Sequence, residues 1–94
     1  MKRIAIIILA FALSACAADD LKNRREKLAG KPEAYKDGYV DGCSSGNQVA
    51  GSPYYPFQKD PQRFESDKMY AQGWGDGFTV CKGELDYIHN YYRR

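Results

Sequence analysis

The chain has 94 residues, with 14 Lys and Arg against 12 Asp and Glu, one His, three Cys and eight Tyr. That length holds one small domain with a modest core, which a covalent staple or a partner would help to stabilise. A charged fraction of 28% and a formal charge of +2 give no nucleic-acid footprint, and one His with three Cys leaves too few ligands for a structural metal site.

Residues 1–15 read as an address. Met1-Lys2-Arg3 precedes an apolar run from Ile4 to Leu13, and Ser14-Ala15 closes it with small residues. This is the order of a secretory signal, and the run is shorter than the roughly 20 residues a membrane-spanning helix needs. Leu13-Ser14-Ala15-Cys16 resembles the lipobox of bacterial lipoproteins. The resemblance implies diacylation of the Cys16 thiol, cleavage before Cys16 and acylation of the new amino terminus. Several acyl chains make a stable anchor where a single chain binds only marginally. Asp after the cysteine is associated in that family with inner-membrane retention, so Ala17 points to the outer membrane, facing the periplasm. The mature chain loses Lys2 and Arg3 and no acid, leaving 12 cations against 12 anions. Global charge therefore carries no argument.

Residues 16–31, with Asn23-Arg24-Arg25-Glu26-Lys27 and little apolar content, read as a flexible lipidated tether, part of it a short solvated helix. Residues 32–94 read as the folded domain. With Cys16 lipidated, Cys43 and Cys81 remain, and an oxidising exported compartment favours a disulfide between them. No Cys-x-x-Cys is present, which argues against a redox motif or a c-type haem site.

The body of the chain repeats. Tyr35-Lys36-Asp37-Gly38-Tyr39-Val40-Asp41-Gly42 matches Tyr70-Ala71-Gln72-Gly73-Trp74-Gly75-Asp76-Gly77 at an offset of 35 residues. The shared pattern is Tyr-x-x-Gly-aromatic-x-Asp-Gly. Tyr35, Gly38, Tyr39, Gly42, Cys43 and Gly46 fall on one face of a helix, as do Tyr70, Gly73, Trp74, Gly77, Phe78 and Cys81. Glycines spaced by four let two backbones approach closely, and rings from one helix can cover the glycines of the other. The expected fold is all-α: a disulfide-stapled two-helix hairpin with glycine and aromatic packing faces. The alternative reading, Asp-Gly turns between short strands, fits the sustained helical period less well. Pro32 suits the first helix start, Gly51-Ser52-Pro53 its end, and Asp60-Pro61 or Ser66-Asp67 the second start, with that helix running to about Tyr92.

Few residues carry chemistry. Asp41 and Asp76 occupy equivalent repeat positions but have no accompanying nucleophile, so a structural role with mild stability effects is expected. Asp37–Gly42 departs from a calcium loop at Tyr39 and Gln48. His89, Ser44 and Ser45 lack catalytic companions. No catalytic residue, metal or cofactor is expected beyond the lipid on Cys16. The aromatic surplus is the better clue. Tyr54, Tyr55 and Phe57 in the loop, and Tyr91, Tyr92, Arg93 and Arg94 at the end, suit a protein interface or a membrane interface. The loop rings also suit a fold-back role over the small core.

Tyr35–Cys43 and Gln72–Cys81 together resemble small proteobacterial lipoproteins with no assigned activity. The combined expectation is a non-enzymatic envelope lipoprotein. It would act as a binding or structural accessory subunit at the periplasmic membrane surface, with an envelope protein as partner. An inhibitor or immunity-type lipoprotein acting on an envelope enzyme is the alternative.

Overall fold

The computed structural model describes residues 15–93; all but the last residue of the signal peptide expected over residues 1–15, and Arg94 of the terminal basic pair, lie outside them. Four helical segments follow in order: α1 over residues 15–26, α2 from Glu33 to Val49, α3 from Pro61 to Ser66, and α4 from Lys68 to Tyr92. Local chemistry sets their ends. Pro32 precedes α2, where its missing N–H is not needed. Asp60 caps α3 by accepting the Arg63 N–H at 3.1 Å. Asp67 caps α4 through Met69 and Tyr70, at 3.0 and 3.3 Å. Gly51, at φ +110°, follows the end of α2 in a conformation that side chains disfavour.

The fold rests on α2 against α4, and glycine sets how close they come. A methyl group placed on Gly38 would land on the Tyr70 carbonyl oxygen, and one on Gly42 on that of Trp74. At Gly46 it would stop 2.5 Å from the Phe78 carbonyl oxygen. From the other side, Gly73 and Gly77 face the carbonyl oxygens of Tyr35 and Tyr39 in the same way. No other residue fits these positions. Each interior glycine costs about 1 kcal/mol of helix propensity relative to Ala. Backbone contact without side chains between, including Cα–H···O contacts worth about 0.5–1 kcal/mol each, offsets that cost.

The register gives the direction. Gly38, Gly42 and Gly46 meet residues 32 positions further along the chain. Tyr35, Tyr39 and Cys43 meet Gly73, Gly77 and Cys81, each 38 positions further along. Constant offsets mean that residue numbers rise together, so α2 and α4 run parallel. The two offsets average 35, the spacing of the sequence repeat, so the units are related by an approximate two-fold axis along the pair. The all-α, disulfide-stapled, glycine-faced helix pair expected from sequence is present. The expected hairpin turn is not what joins it: residues 50–67 return from the C-terminal end of α2 to the N-terminal end of α4.

The third level of the interface breaks the symmetry. Where Gly46 approaches Phe78, the equivalent position pairs Cys43 with Cys81, and the two are disulfide-bonded with Cα atoms 5.1 Å apart. On the chain-entropy model, closing this loop removes about 4 kcal/mol of unfolded-state freedom. Both cysteines are fully buried, as is Tyr70.

The segment expected as a tether is ordered here. α1 docks on the pair through Arg24, which bonds Asp20 at 3.1 Å and Glu84 at 2.9 Å. Arg25 reaches Asp37 and Glu33, each at 2.7 Å, and Asp20 accepts the Tyr55 hydroxyl at 2.9 Å. Ala17 is buried. Composition pointed to a solvated chain because these partners lie far away in sequence. Exposed ion pairs contribute only about 0–1 kcal/mol each, so α1 is held less firmly than α2 and α4.

Candidate functional site

Asp41 and Asp76 hold the repeats together. Tyr70 donates its hydroxyl to Asp41 at 2.6 Å, and Tyr35 donates to Asp76 at 2.7 Å. These are one interaction made twice, since 35 residues separate both the tyrosines and the aspartates. The motif is thereby explained: each unit's Tyr reaches the other unit's Asp, and the glycines between allow the approach. The sequence reading expected a structural role for each Asp. It missed the tyrosines because a cross-repeat bond leaves no local signal. The hydrogen bond to Asp76, with burial, raises Tyr35 to a pKa of about 12. Burial and then the bond to Asp41 do the same for Tyr70. Among the described residues no group of three or more His, Cys, Asp or Glu is placed to hold a metal ion.

The crossover is pinned to the pair. Ser44 donates to the Pro56 carbonyl at 2.7 Å. Ser45 accepts the Gln58 N–H at 2.8 Å and lies 2.7 Å from the Gln58 carbonyl. That carbonyl also accepts the Trp74 indole N–H at 2.8 Å. The Asp60 N–H donates to the Tyr70 hydroxyl at 2.9 Å. Ser44 and Ser45, set aside in the sequence as nucleophiles, are buried anchors for this loop.

These anchors hold an aromatic patch in place. Trp74 stacks on Phe78, with centroids 5.0 Å apart. Phe64 and Phe57 meet the indole edge-on at 5.8 and 6.0 Å. Lys59 Nζ sits 3.8 Å from the Phe64 centroid and 4.7 Å from that of Trp74. Phe57 is 54% exposed, whereas Trp74 is buried. The loop residues singled out from sequence thus divide. Phe57 and Tyr54 face solvent, while Tyr55 is half-buried against Asp20, where burial and that bond raise its pKa to about 12. Phe64 and Lys59 were missed, because nothing in their local sequence announces that they meet Trp74.

The second aromatic surface is the end of α4. In the parallel register Val49, the last residue of α2, lies level with about residue 84, so the last turns of α4 extend beyond α2. Tyr87, Ile88, Tyr91 and Tyr92 are exposed there, with Arg93 beside them. His89 is exposed on the same turns. Cys16 is a free, exposed thiol in the first described turn of α1. Two shallow grooves flank Arg24. One, of about 340 Å³, is lined by Asn23, Lys27, Tyr39 and Glu84 among others; the second, of about 240 Å³, takes in Tyr55, Leu85 and Ile88. Both are open, and the Arg24 ion pairs occupy the wall between them. No described helix is long and apolar enough to cross a membrane.

Compared with family models, curated proteins and solved structures, the chain matches none significantly.

Proposed function

We propose that this chain is a lipid-anchored envelope protein, acylated at Cys16 and facing the periplasm from the outer membrane. It works by binding: an accessory subunit that presents the Phe57–Phe64–Trp74–Phe78 patch to an envelope protein. The observation that carries this reading is the contrast within the patch. Its rings are partly open to solvent, while the loop that bears Phe57 and Lys59 is fixed by hydrogen bonds to two buried serines and a tryptophan. Rigid aromatic anchors beside a cation are the chemistry of binding hot spots. The disulfide supports an oxidising compartment. The lipobox and an exposed Cys16 support the anchor.

The test is photo-crosslinking in cells with a benzoyl-phenylalanine at position 57. One dominant protein adduct, absent when the probe sits at exposed Gln62 instead, supports the subunit reading. Equal labelling of many proteins from both positions contradicts it. If the captured protein is an enzyme that loses activity on binding, the inhibitor reading replaces the subunit one. Acylation is tested separately by intact mass: the mature protein should carry a diacylglyceryl group and a further acyl chain, both lost in Cys16→Ser.

A further inference from the structure

The two features left over by the aromatic patch, the exposed end of α4 and the free thiol of Cys16, lie at one end of the molecule. α1 runs antiparallel to α4. Arg24 pairs with Glu84, and Asp20 lines the same groove as Ile88, one turn earlier in α1 and one turn later in α4. A further turn of α1, about 6 Å, carries the chain from Asp20 to Cys16, toward the end where α4 protrudes beyond α2. An acyl chain on Cys16 therefore leaves toward the end of the molecule that carries the protruding turns of α4.

That end has the chemistry of a bilayer interface. Tyr87 is 71% exposed, Tyr91 67% and Tyr92 81%, with Ile88 between them. The packed part of α4 has glycines to accept a neighbouring helix; after Gly83 the helix has none. Tyrosine combines an apolar ring with a hydroxyl and sits at the headgroup level of membranes. Arg93 and Arg94 follow at once in the sequence, and guanidinium groups pair with phosphate by two parallel hydrogen bonds. The nearby acids are mostly engaged: Asp20 bonds Arg24 and Tyr55, and Asp86 pairs with Lys82, leaving Asp19.

We propose that the end of α4 formed by Tyr87, Ile88, Tyr91, Tyr92 and Arg93 is a membrane-contact surface for anionic phospholipid headgroups. The protein stands on the bilayer on this end, beside its anchor, with α2 and α4 upright. The proposal rests on the anchored-lipoprotein reading for its orientation and adds a second contact to it. It also leaves the Phe57 patch, partway along the pair, clear of the membrane for a partner.

The experiment separates the surface from the biology of the anchor. Residues 16–94, which hold the disulfide and all the described helices except the first residue of α1, are coupled through the Cys16 thiol to a maleimide phospholipid. The vesicles contain phosphatidylglycerol brominated near the headgroups. Tyr92→Trp and Met69→Trp are compared against the common background of Trp74. The expected result is loss of position-92 emission to the bromines and its shielding from aqueous acrylamide, with position 69 unaffected. Replacing Arg93 and Arg94 by Ala should weaken vesicle binding of the uncoupled Cys16→Ser chain about fivefold per residue. Equal acrylamide access at 92 and 69 overturns the proposal. So does shielding of position 92 that persists without vesicles and grows with protein concentration, which would make this end a contact between two copies. Because the linkage is chemical, absence of lipid in the cellular protein would defeat the anchor reading and leave this result standing or falling by itself.

Discussion

Along α4 two stretches of similar aromatic content meet opposite fates. From Tyr70 to Cys81 the helix is in backbone contact with α2, and Tyr70 and Trp74 are buried. From Tyr87 to Tyr92 four large side chains stand in solvent. Hydrophobicity does not separate the two; glycine does. Gly73 and Gly77 each seat a carbonyl of α2, whereas Gly83, beyond that contact, has nothing within 4 Å. In this protein the aromatic residues of α4 are buried where Gly73 and Gly77, each three residues after a ring, seat the backbone of α2, and are left exposed beyond that contact.

The sharpest way to break the comparison is to fill a glycine. Gly42→Leu should abolish the native fold, because even its first carbon has no room against Trp74. Overpacking ordinarily costs about 1–3 kcal/mol, and here the obstruction is rigid backbone rather than a side chain that can turn away. Gly83→Ala should instead stabilise by up to about 1 kcal/mol. Urea melts of both check this, and an unchanged melt for Gly42→Leu would mean the helices do not touch there. Next in size is the staple. Cys43→Ser with Cys81→Ser should cost about 4 kcal/mol, read as the difference between melts with and without the pair.

The tyrosine–aspartate bonds come third. Asp41→Ala should cost about 1–3 kcal/mol, since it removes the acceptor of a fully buried tyrosine. Asp76→Ala should cost less, because its bond to Tyr35 lies at the surface. This revises the mild effect expected from sequence for Asp41. The same bonds set a pH dependence. Both hydroxyls hold their protons up to about 12, against 10 for a free tyrosine. The stability they contribute is whole below pH 10 and is lost as pH climbs toward 12. Tyr35→Phe with Tyr70→Phe should flatten that decline. The smallest effect belongs to the far end: Tyr87→Ala and Tyr92→Ala should leave the melting midpoint within about 0.5 kcal/mol of the parent. A larger loss would show that these rings pack on the fold.

Much of this was legible in the sequence, for physical reasons that vary by residue. The glycine faces, the caps at Asp60 and Asp67, and the Cys43–Cys81 pair follow from local spacing and chemistry. Helix direction does not, because a face of glycines and rings is the same read either way. The clue lay in residues 50–67, longer than the 2–8 residues that ordinarily join antiparallel helices. The docking of α1 was hidden because Arg24 and Glu84 are 60 positions apart. The aromatic patch was half visible: Trp74 and Phe57 stood out, but their meeting depends on the Gln58 backbone, which any residue could supply.

The parallel register underlies the symmetry of the repeats, the protruding end of α4 and the proposed orientation on a membrane. It is tested most directly by spin-label distances in the Cys16→Ser chain with its disulfide intact. One pair of labels is placed at Val49 and Tyr87, the other at Val49 and Met69, all exposed sites. A parallel pair gives a short 49–87 distance and a 49–69 distance longer by well over 10 Å, since Met69 lies about 22 Å below Val49 along the helix axis. A short 49–69 distance with a long 49–87 distance would mean an antiparallel hairpin and would contradict it.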